Sequence, residues 1–366
     1  MWKNGGRTLK RILIAGFSTR HVALSAHRAG YEVYAIDHFC DVDLRKIAVS
    51  FRQFEELSEI PGFIEEMCRI YKIDAIIPTS GAETLRNLPV SVLGTDHGTA
   101  GQFLDKGFVQ SWFEGLNIPV PPLASPGEFP AMLKPLRGSG GWRNTVVHSE
   151  EEIASWKENF PDEPFLLQKI VEGIPASVCC VAGCGKACAI AVNRQIMRGS
   201  GAYQFGFSGS LTPFDHPIQE EMIRYAELAA ALSGCLGVLG IDFMVNDSAI
   251  YAIELNPRFV ATLDTIESAT GVNLVQLHID ACQGIIPDKR PVPFRYAMRR
   301  ILFADRPCEV CEDLSHLIPH VADIPVPPAS FEEGGAVISV YGNGPDVTSA
   351  ELALDTTIRL VTQYIR

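Results

Sequence analysis

The chain has 366 residues, 47% of them hydrophobic and 20% charged, which is typical of a globular protein with two or three domains. Its formal net charge is −12 and no run of Lys or Arg stands out, so we expect no nucleic-acid partner. No apolar run reaches membrane-spanning length, Met1–Leu9 lacks the pattern of a secretory signal, and the 10 cysteines follow no disulfide pattern. We therefore expect no membrane partner and a cytoplasmic location.

The N-terminal segment predicts a small, open α/β sheet. Its predicted elements are a strand at Arg11–Ala15, a helix at Thr19–Ala29, a strand at Tyr31–Ile36, a helix at Pro61–Tyr71, and strands at Ile73–Pro78 and Val90–Leu93. The opening lacks Gly-x-Gly-x-x-Gly, so dinucleotide binding is not predicted. The helix start, with Ser18 and Arg20, is still a place that favours an anion.

A phosphate-covering flap is predicted in the middle of the chain. A helical stripe at Leu104–Leu116 opens with Asp105-Lys106, and a strand at Phe129–Lys134 then leads into the glycine-rich loop 135–141. Glycines let backbone N–H groups approach phosphate oxygens, and Lys134 adds a positive charge beside them. A helix at Glu150–Phe160 and a strand at 165–171 follow.

A hydrophobic hairpin carries three oxygen-bearing side chains. Its strands are predicted at Gly240–Val245 and Ala249–Leu255, with Val245 paired to Ala249. This register puts Asp242 opposite Ala252, one diagonal step from Glu254 and on the same face as Glu254 and Asn256. Carboxylates this close repel each other unless a cation lies between them, and their hard oxygens suit Mg²⁺. The alternative is a solvated hairpin face with scattered acids.

Two further regions complete the prediction. The loop Arg198–Leu211, rich in glycine and aromatic residues, is predicted to be a mobile lid, with disorder as the alternative. The remaining predicted elements are strands at Ala176–Gly183, Lys186–Met197, Tyr296–Asp305 and Ala336–Tyr341, and helices at Ile218–Leu236, Asn273–Gly284 and Ser349–Tyr364.

Taken together, these motifs resemble the ATP-grasp superfamily. The resemblance covers Asp105-Lys106, the strand–glycine loop after Lys134, the strand into Glu172-Gly173, and Asp242 followed by Glu254-Leu-Asn256-Pro-Arg258. Gln195 and the stretch Gly206–Pro213 resemble a predicted carboligase branch related to biotin carboxylase, of archaeal and methylotroph type. The resemblance implies an α/β (α+β) ATP-grasp fold. Its implied parts are a pre-ATP-grasp domain (1–97), an ATP-grasp domain (98–290, with the nucleotide-covering lobe within 98–200) and a small C-terminal α/β segment (291–366).

The resemblance also implies roles for individual residues. The implied nucleotide-binding residues are Lys106, Lys134, Gly138, Ser139, Gly140, Gly141, Gln168, Lys169, Ile170, Val171 and Glu172. Asp242, Glu254 and Asn256 would bind Mg²⁺ (or Mn²⁺), and Arg258 and Lys134 would be catalytic. Arg20, Asp37, Gln195 and Arg198 are candidates for substrate contact, although Arg20 and Asp37 are also explained as surface or strand-end charges. Pro175 stands where relatives carry a ribose-binding acid, and Glu172 is the nearest replacement.

The resulting hypothesis is an ATP-dependent ligase. Such an enzyme activates a small-molecule carboxylate as an acylphosphate, transfers it to an amine or thiol, and releases ADP and phosphate. One alternative is a bicarbonate-dependent carboxylase of the biotin-carboxylase type, although no Ala-Met-Lys-Met biotinylation segment is present. A non-catalytic ATP-binding regulatory protein is the other alternative, and the resemblance leaves a homodimer open.

Overall fold

The computed structural model describes residues 3–4, 7–138, 140–141, 143–199 and 204–366 of the chain. The first elements are β1 (Lys3–Asn4), β2 (Arg7–Thr8), β3 (Arg11–Ala15), α1 (Arg20–Arg28), β4 (Glu32–Asp37), α2 (Val42–Ile47), β5 (Ala48–Gln53), a 3-10 helix (Leu57–Glu59), α3 (Ile60–Ile70) and β6 (Ala75–Pro78). Four strands form a parallel sheet in the order β5-β4-β3-β6. Because β3 and β4 are nearly continuous apolar runs, they suit a parallel sheet that is covered on both faces. The predicted open α/β sheet is therefore confirmed.

Two parts of the N-terminal prediction are wrong. The segment 90–93 is not a strand, because Val92 forms only an isolated bridge to Ile76 and its side chain is exposed. The segment 42–53, which was not assigned, contains α2 and β5. This segment was not recognised because charged residues interrupt its short apolar pattern, although β5 pairs with β4 along its length.

The next part of the chain contains two helices that pack on the large sheet and a small three-stranded sheet with its own core. Its elements are α4 (His97–Phe103), α5 (Lys106–Gly115), β7 (Ala131–Pro135), β8 (Thr145–Val147), α6 (Glu150–Asn159) and β9 (Phe165–Lys169). The three strands form a sheet in the order β8-β7-β9. Helix α5 begins at Lys106, rather than at Leu104 as predicted, because the Asp105 carboxylate caps it by accepting from the N–H groups of Gly107 and Phe108 at 2.9 and 3.0 Å.

The remaining elements build a large sheet. They are β10 (Ile174–Gly183), β11 (Lys186–Met197), β12 (Phe207–Thr212), α7 (Gln219–Leu232), β13 (Gly237–Val245), β14 (Ile250–Asn256), α8 (Leu263–Thr270), α9 (Leu274–Ala281), β15 (Tyr296–Phe303), β16 (Cys308–Val310), a 3-10 helix (Leu314–Leu317), β17 (Val321–Ala322), β18 (Ala329–Phe331), β19 (Ala336–Gly344) and α10 (Val347–Thr362). Eight of the strands pair in the order β14-β13-β10-β11-β12-β15-β19-β17. The segment predicted as a C-terminal unit therefore extends the same sheet, through the pairing of β12 with β15.

The predicted lid is shorter than expected. Phe207–Leu211 lies in β12, hydrogen-bonded to β11 on one side and to β15 on the other, so these residues are part of the sheet. Residues 200–203 of the predicted lid lie outside the described residues. In the described part of the chain, no helix combines the length and the apolar character needed to cross a membrane.

A buried cluster of charges joins the N-terminal sheet to the C-terminal strands. Arg20, only 2% exposed, donates from Nε to Asp323 at 2.8 Å and from Nη1 and Nη2 to Asp264 at 3.1 and 2.7 Å. Arg299 also donates to Asp323, at 2.8 Å, and Tyr341 donates its hydroxyl to Asp264. These contacts join α1 to α8, to β15, to the residue after β17 and to β19.

Candidate active site

Asp242 on β13 and Glu254 on β14 lie directly opposite each other. The predicted register is wrong, because the turn is longer: Asn246 closes it by donating its N–H to Ala249 O and by accepting the N–H groups of Ser248 and Ala249 with its side-chain oxygen. A bulge in β14 then shifts the pairing, so that Glu254 rather than Ala252 faces Asp242. The predicted shared face is retained, with the two carboxyl groups closer than expected.

Amide groups surround the Asp242 carboxylate. Gln195 Nε2 donates to Asp242 Oδ1 at 2.9 Å, and Asn256 Nδ2 donates to Asp242 Oδ2 at 3.1 Å. Burial and, after it, the charge of Glu254 raise the pKa of Asp242 to about 7, while the two amides and Arg258 oppose the shift. The fold thus holds a carboxyl group beside a like charge, in a place where a cation would relieve the repulsion.

Two lysines flank the carboxylate pair. Lys134 on β7 and Glu254 line the same narrow cavity of about 30 Å³, together with Lys106. Burial lowers the pKa of Lys134 to about 8; Glu254 opposes this shift and Lys106 adds to it. Lys106 Nζ donates to the carbonyl of Gly138 at 2.7 Å, which ties the start of α5 to the glycine-rich loop.

The same cavity contains a buried acceptor without a partner. Gln110 uses its side-chain N–H groups on Glu114 and on the Pro121 carbonyl, so its oxygen accepts from Gln168 Nε2 at 2.7 Å. This chain of contacts fixes the orientation of Gln168, whose Oε1 is buried and accepts no hydrogen bond within the part of the chain that the structure describes. A ligand that carries an N–H donor would satisfy this oxygen.

The other predicted nucleotide-binding residues that the structure describes are not part of the lining of this cavity. Ser139 lies outside the described residues, whereas Gly140 lines a second, larger cleft. Gly141 has φ +71° and a Cβ there would lie 2.3 Å from Phe205 O, so only glycine fits. Lys169 pairs with Glu128 at 2.5 Å, and the Glu172 carbonyl accepts from Asn246. The side chains of Ile170 and Glu172 are exposed, and that of Val171 is partly buried.

A cleft of about 640 Å³ opens next to this cavity. It is lined by residues of the N-terminal sheet, by Arg258 and Phe259 after β14, and by C-terminal residues that include Arg299 and Ile338. Arg258 donates from Nε to Glu83 at 2.6 Å and from Nη2 to Asn256 Oδ1 at 3.1 Å. Arg258 therefore joins the cleft to the carboxylate pair.

Three predicted substrate residues have other surroundings. Arg20 lies behind the cleft in the buried charge cluster, where carboxylates neutralise it, so it is not placed to receive an anion. Asp37 accepts from Thr19 N and Oγ1 and from the N–H groups of Phe39 and Cys40, and thus orders the loops beneath the cleft. Arg198 donates to Gly334 O and lies 3.9 Å over the ring of Phe303, whereas Gln195 does reach Asp242.

Sequence reasoning missed several residues that line these spaces. Gln110 was not singled out, although it is four residues after Lys106 and so lies on the same face of α5. His21 and Asp41 also line the large cleft; Asp41 belongs to the stretch Asp37…Asp41-x-Asp43, which fits the carboligase branch, but neither residue was proposed as part of the site. Burial lowers the pKa of His21 to about 4, and Arg20 and Arg299 add to this shift, so the imidazole is neutral.

Comparison with known proteins identifies the central part of the chain. Residues 103–262 match the family model described as "ATP-grasp domain". The chain contains an ATP-grasp domain. The carbamoyl phosphate synthase large chain of Neisseria meningitidis serogroup B is 25% identical over 317 residues, which cover 77% of this chain and 29% of that protein. The chain thus spans less than a third of that curated relative.

Solved structures extend the likeness of the fold beyond the ATP-grasp domain. Biotin carboxylase from Campylobacter jejuni matches with a TM-score of 0.79 and 17% identity, covering 98% of this chain and 92% of that chain. Phosphoribosylamine–glycine ligase from Thermotoga maritima matches with a TM-score of 0.73 and 16% identity, covering 97% of each chain. The predicted ATP-grasp fold related to biotin carboxylase is confirmed.

The opposed carboxylates Asp242 and Glu254 fit a magnesium ion whose other ligands are phosphates and water. Among the described residues, no group of three or more His, Cys, Asp or Glu side chains is arranged to hold a metal. Two opposed carboxylates are what Mg²⁺ requires when substrate phosphates and water supply its other ligands. Asn256 Oδ1 accepts one hydrogen bond, from Arg258, and its second lone pair would be the one to bind the metal.

The depressed pKa of Lys134 predicts a pH-dependent nucleotide affinity. Because the ammonium form is lost as the pH rises through about 8, ADP should bind progressively more weakly above that pH. With EDTA present to remove metal, the dissociation constant should rise by up to about tenfold per pH unit between roughly pH 8 and pH 10. Lys134→Arg keeps its charge and should give a flat profile. A wild-type profile as flat as that of the variant would contradict a role for Lys134 in phosphate binding.

Proposed function

We propose that the chain is an ATP-dependent ligase that activates a carboxylate as an acylphosphate and transfers the acyl group to an amine or thiol, releasing ADP and phosphate. The observation that carries this proposal is the opposed pair Asp242 and Glu254, which lies beside Lys134 and connects through Asn256 and Arg258 to a substrate-sized cleft. Phosphoryl transfer depends mainly on positioning and on neutralising charge, and this arrangement supplies both.

The first step forms the acylphosphate. A carboxylate oxygen of the substrate forms a bond to the γ-phosphorus of ATP, while the bond from that phosphorus to the β–γ bridging oxygen breaks and ADP leaves with the electron pair. Lys106 and Lys134 would hold the phosphates. Arg258, which donates from Nη2 to Asn256 Oδ1 at 3.1 Å, would steady the transferred group. Asp242 and Glu254 would hold Mg²⁺ (or Mn²⁺), which supplies charge neutralisation.

The second step forms the product. The neutral amine nitrogen attacks the acyl carbon, the bond from that carbon to the phosphate oxygen breaks, and inorganic phosphate leaves with the electron pair. The proton lost by the amine passes to solvent or to the departing phosphate. Since an acylphosphate hydrolyses in water, the cleft must be closed to solvent at this stage.

Nucleotide binding requires the lobe to move. The cavity beside Lys106, Lys134 and Gln168 has a volume of about 30 Å³, which holds about one water molecule and no purine. The β8-β7-β9 sheet would therefore move away from β14 when ATP enters. The purine amino group would then donate to the unpartnered Gln168 Oε1, and the ribose would lie towards Glu172.

The second candidate is a bicarbonate-dependent carboxylase. It is favoured by the likeness to biotin carboxylase over 98% of the chain. A carboxylase should release phosphate with bicarbonate alone or with bicarbonate and free biotin, whereas the proposed ligase requires an organic acid. The small-molecule substrates, the cytoplasmic location and a homodimer remain predictions.

Product analysis tests the proposed ligase. We expect ADP and phosphate to appear only when a matching acid is present, in a screen of pooled carboxylic acids with pooled amines and thiols. Hydroxylamine should convert the acylphosphate to a hydroxamate, which is coloured by ferric iron. Formation of AMP and pyrophosphate would contradict γ-phosphoryl transfer, and binding of ATP without turnover across the screen would favour the regulatory protein.

A further inference from the structure

The 640 Å³ cleft has an aromatic wall that no part of the proposed nucleotide chemistry uses. Phe17 stacks on His38 with ring centroids 4.7 Å apart and an interplanar angle of 12°. Phe39 packs edge-on against both rings, at 5.3 and 4.9 Å. Phe17 and Phe39 are each 42% exposed and line the cleft, so they present an apolar surface to whatever enters it.

Beside this wall lies a carboxyl group without a hydrogen-bond partner. Asp41 is the N-cap residue of α2, yet its side chain does not cap the helix. No hydrogen bond to its carboxyl oxygens occurs within the described part of the chain. The neighbouring acids differ, because Asp37 accepts four hydrogen bonds from Thr19, Phe39 and Cys40, and Asp43 accepts the N–H groups of Asp323 and Ile324.

The surroundings of Asp41 favour a cation. Burial, together with the charges of Asp323, Asp43 and Asp37, raises the pKa of Asp41 to about 9, although Arg20 opposes the shift. Arg20 is committed to Asp264 and Asp323, so it leaves Asp41 without a direct partner. A positive ligand group at this point would offset the repulsion among the acids.

The arginines of the cleft are already neutralised or held. Arg258 pairs with Glu83 at 2.6 Å, and Arg299 pairs with Asp323 at 2.8 Å. Arg45 donates from Nε to the Cys40 carbonyl at 2.6 Å, and its guanidinium lies 5.1 Å over the ring of Phe51. At this end of the cleft, each of these arginines already has a partner, and among the described residues the group that is free to pair with a ligand is the carboxyl group of Asp41.

We propose that the substrate in this cleft carries a protonated amine that pairs with Asp41 and an aromatic or apolar body that lies against Phe17, His38 and Phe39. This inference rests on the proposed function only in treating the cleft as the substrate site of a ligase. The reacting end of such a molecule points towards Arg258, which is bonded to Asn256, and its amine end points towards α2. The substrate class is thus an amine with an aromatic or apolar body. The group that reacts lies at the end of the molecule opposite to this amine.

Calorimetry with three matched probes tests the assignment. The probes are 2-phenylethylamine, 2-phenylethanol and 3-phenylpropionate, which share a body and differ in the charge at its end. The amine should bind the wild-type protein about tenfold or more tightly than either other probe, because a charge-assisted hydrogen bond supplies that difference. At about pH 7.5 its binding should also release close to one proton, since the amine stabilises the ionised form of Asp41.

Two variants sharpen the test. Asp41→Asn should abolish both the preference for the amine and the proton release, while Glu55→Gln, at an exposed acid that lines the same cleft, should change neither. Equal binding of the three probes, tighter binding of the acid, or an amine preference that survives Asp41→Asn would overturn the assignment. Loss of Mg-ADP binding in Asp41→Asn would reveal misfolding. In that case Asp41→Glu, which keeps the carboxyl group, replaces it as the test: a retained preference for the amine supports the assignment, and a lost preference in a folded variant overturns it.

The test separates this inference from the proposed ligase. If acid-dependent phosphate release is observed but no probe prefers Asp41, the ligase stands and the substrate assignment fails. If the amine binds at Asp41 but no acid promotes phosphate release, the assignment of the cleft stands and the ligase fails.

Discussion

Glu254→Gln and Asp242→Asn should each lower Mg-ATP turnover by at least about a hundredfold, because each removes one of the two charged groups that would hold the metal beside the phosphates. The two carboxylates are directly opposed across β13 and β14, and no third acidic or histidine ligand stands near them in the described residues to compensate. Turnover is measured as acid-dependent phosphate release at saturating Mg²⁺.

Stability separates this effect from unfolding. Because burial raises the pKa of Asp242 to about 7, its ionisation costs the folded state stability as the pH rises from about 4 to about 7. Asp242→Asn removes that cost, so this variant should melt at the same temperature as wild type or higher at about pH 8. Asp247→Asn, at a fully exposed acid in the turn of the same hairpin, should keep wild-type turnover. Normal turnover in both site variants would place the metal elsewhere.

Arg20→Met should lower the free energy of unfolding by about 3–5 kcal/mol, which is the typical cost of removing one partner from a buried ion pair. The arginine is 2% exposed and satisfies Asp264 and Asp323, which are themselves largely buried. Without it, both carboxylates lose a charge-assisted partner, although Arg299 and Tyr341 remain. Chemical denaturation at neutral pH measures the loss.

The pH dependence of this loss is a second readout. Arg20 and Arg299 hold the pKa of Asp264 at about 2, so its contribution is present above the unfolded pKa near 4 and disappears as the pH falls towards 2. The difference between wild type and Arg20→Met should therefore shrink below about pH 4. Arg224→Met, at an exposed arginine paired with Glu221, should leave the unfolding curve close to wild type at every pH. A constant difference down to about pH 2 would show that the packing of the side chain, not its charge, stabilises the fold.

The sequence predicted the candidate site where the relevant contacts are local. Asp242, Glu254 and Asn256 belong to one hairpin, and alternation along two short strands is enough to bring them together. The register was wrong because Asn246 closes a longer turn and a bulge follows, and neither feature has a clear local signature. Lys106 and Lys134 were recognised from the motifs on either side of them.

The sequence did not predict contacts between distant segments. Arg20 looked available for an anion because a local pattern shows only the start of a helix, whereas its partners lie 244 and 303 residues later. Helix α2 was not predicted, so Asp41 had no position in a predicted element, and only the folded chain shows that Asp41 lines the cleft and that its side chain does not cap that helix. The lid prediction extended too far because glycine and serine in Phe207–Leu211 conceal the pairing of a central strand.

The long reach of Arg20 has a consequence for synthesis on the ribosome. At roughly 5–20 residues per second, Asp323 is made about 15–60 s after Arg20, given their separation of 303 residues. Until Asp264 and Asp323 are made, Arg20 has Asp43, at 3.6 Å, as its acidic partner in the described part of the chain, and β12 lacks its neighbour β15 until residues 296–303 are made. The nascent chain thus carries an open strand edge and an arginine with only part of its final set of acidic partners.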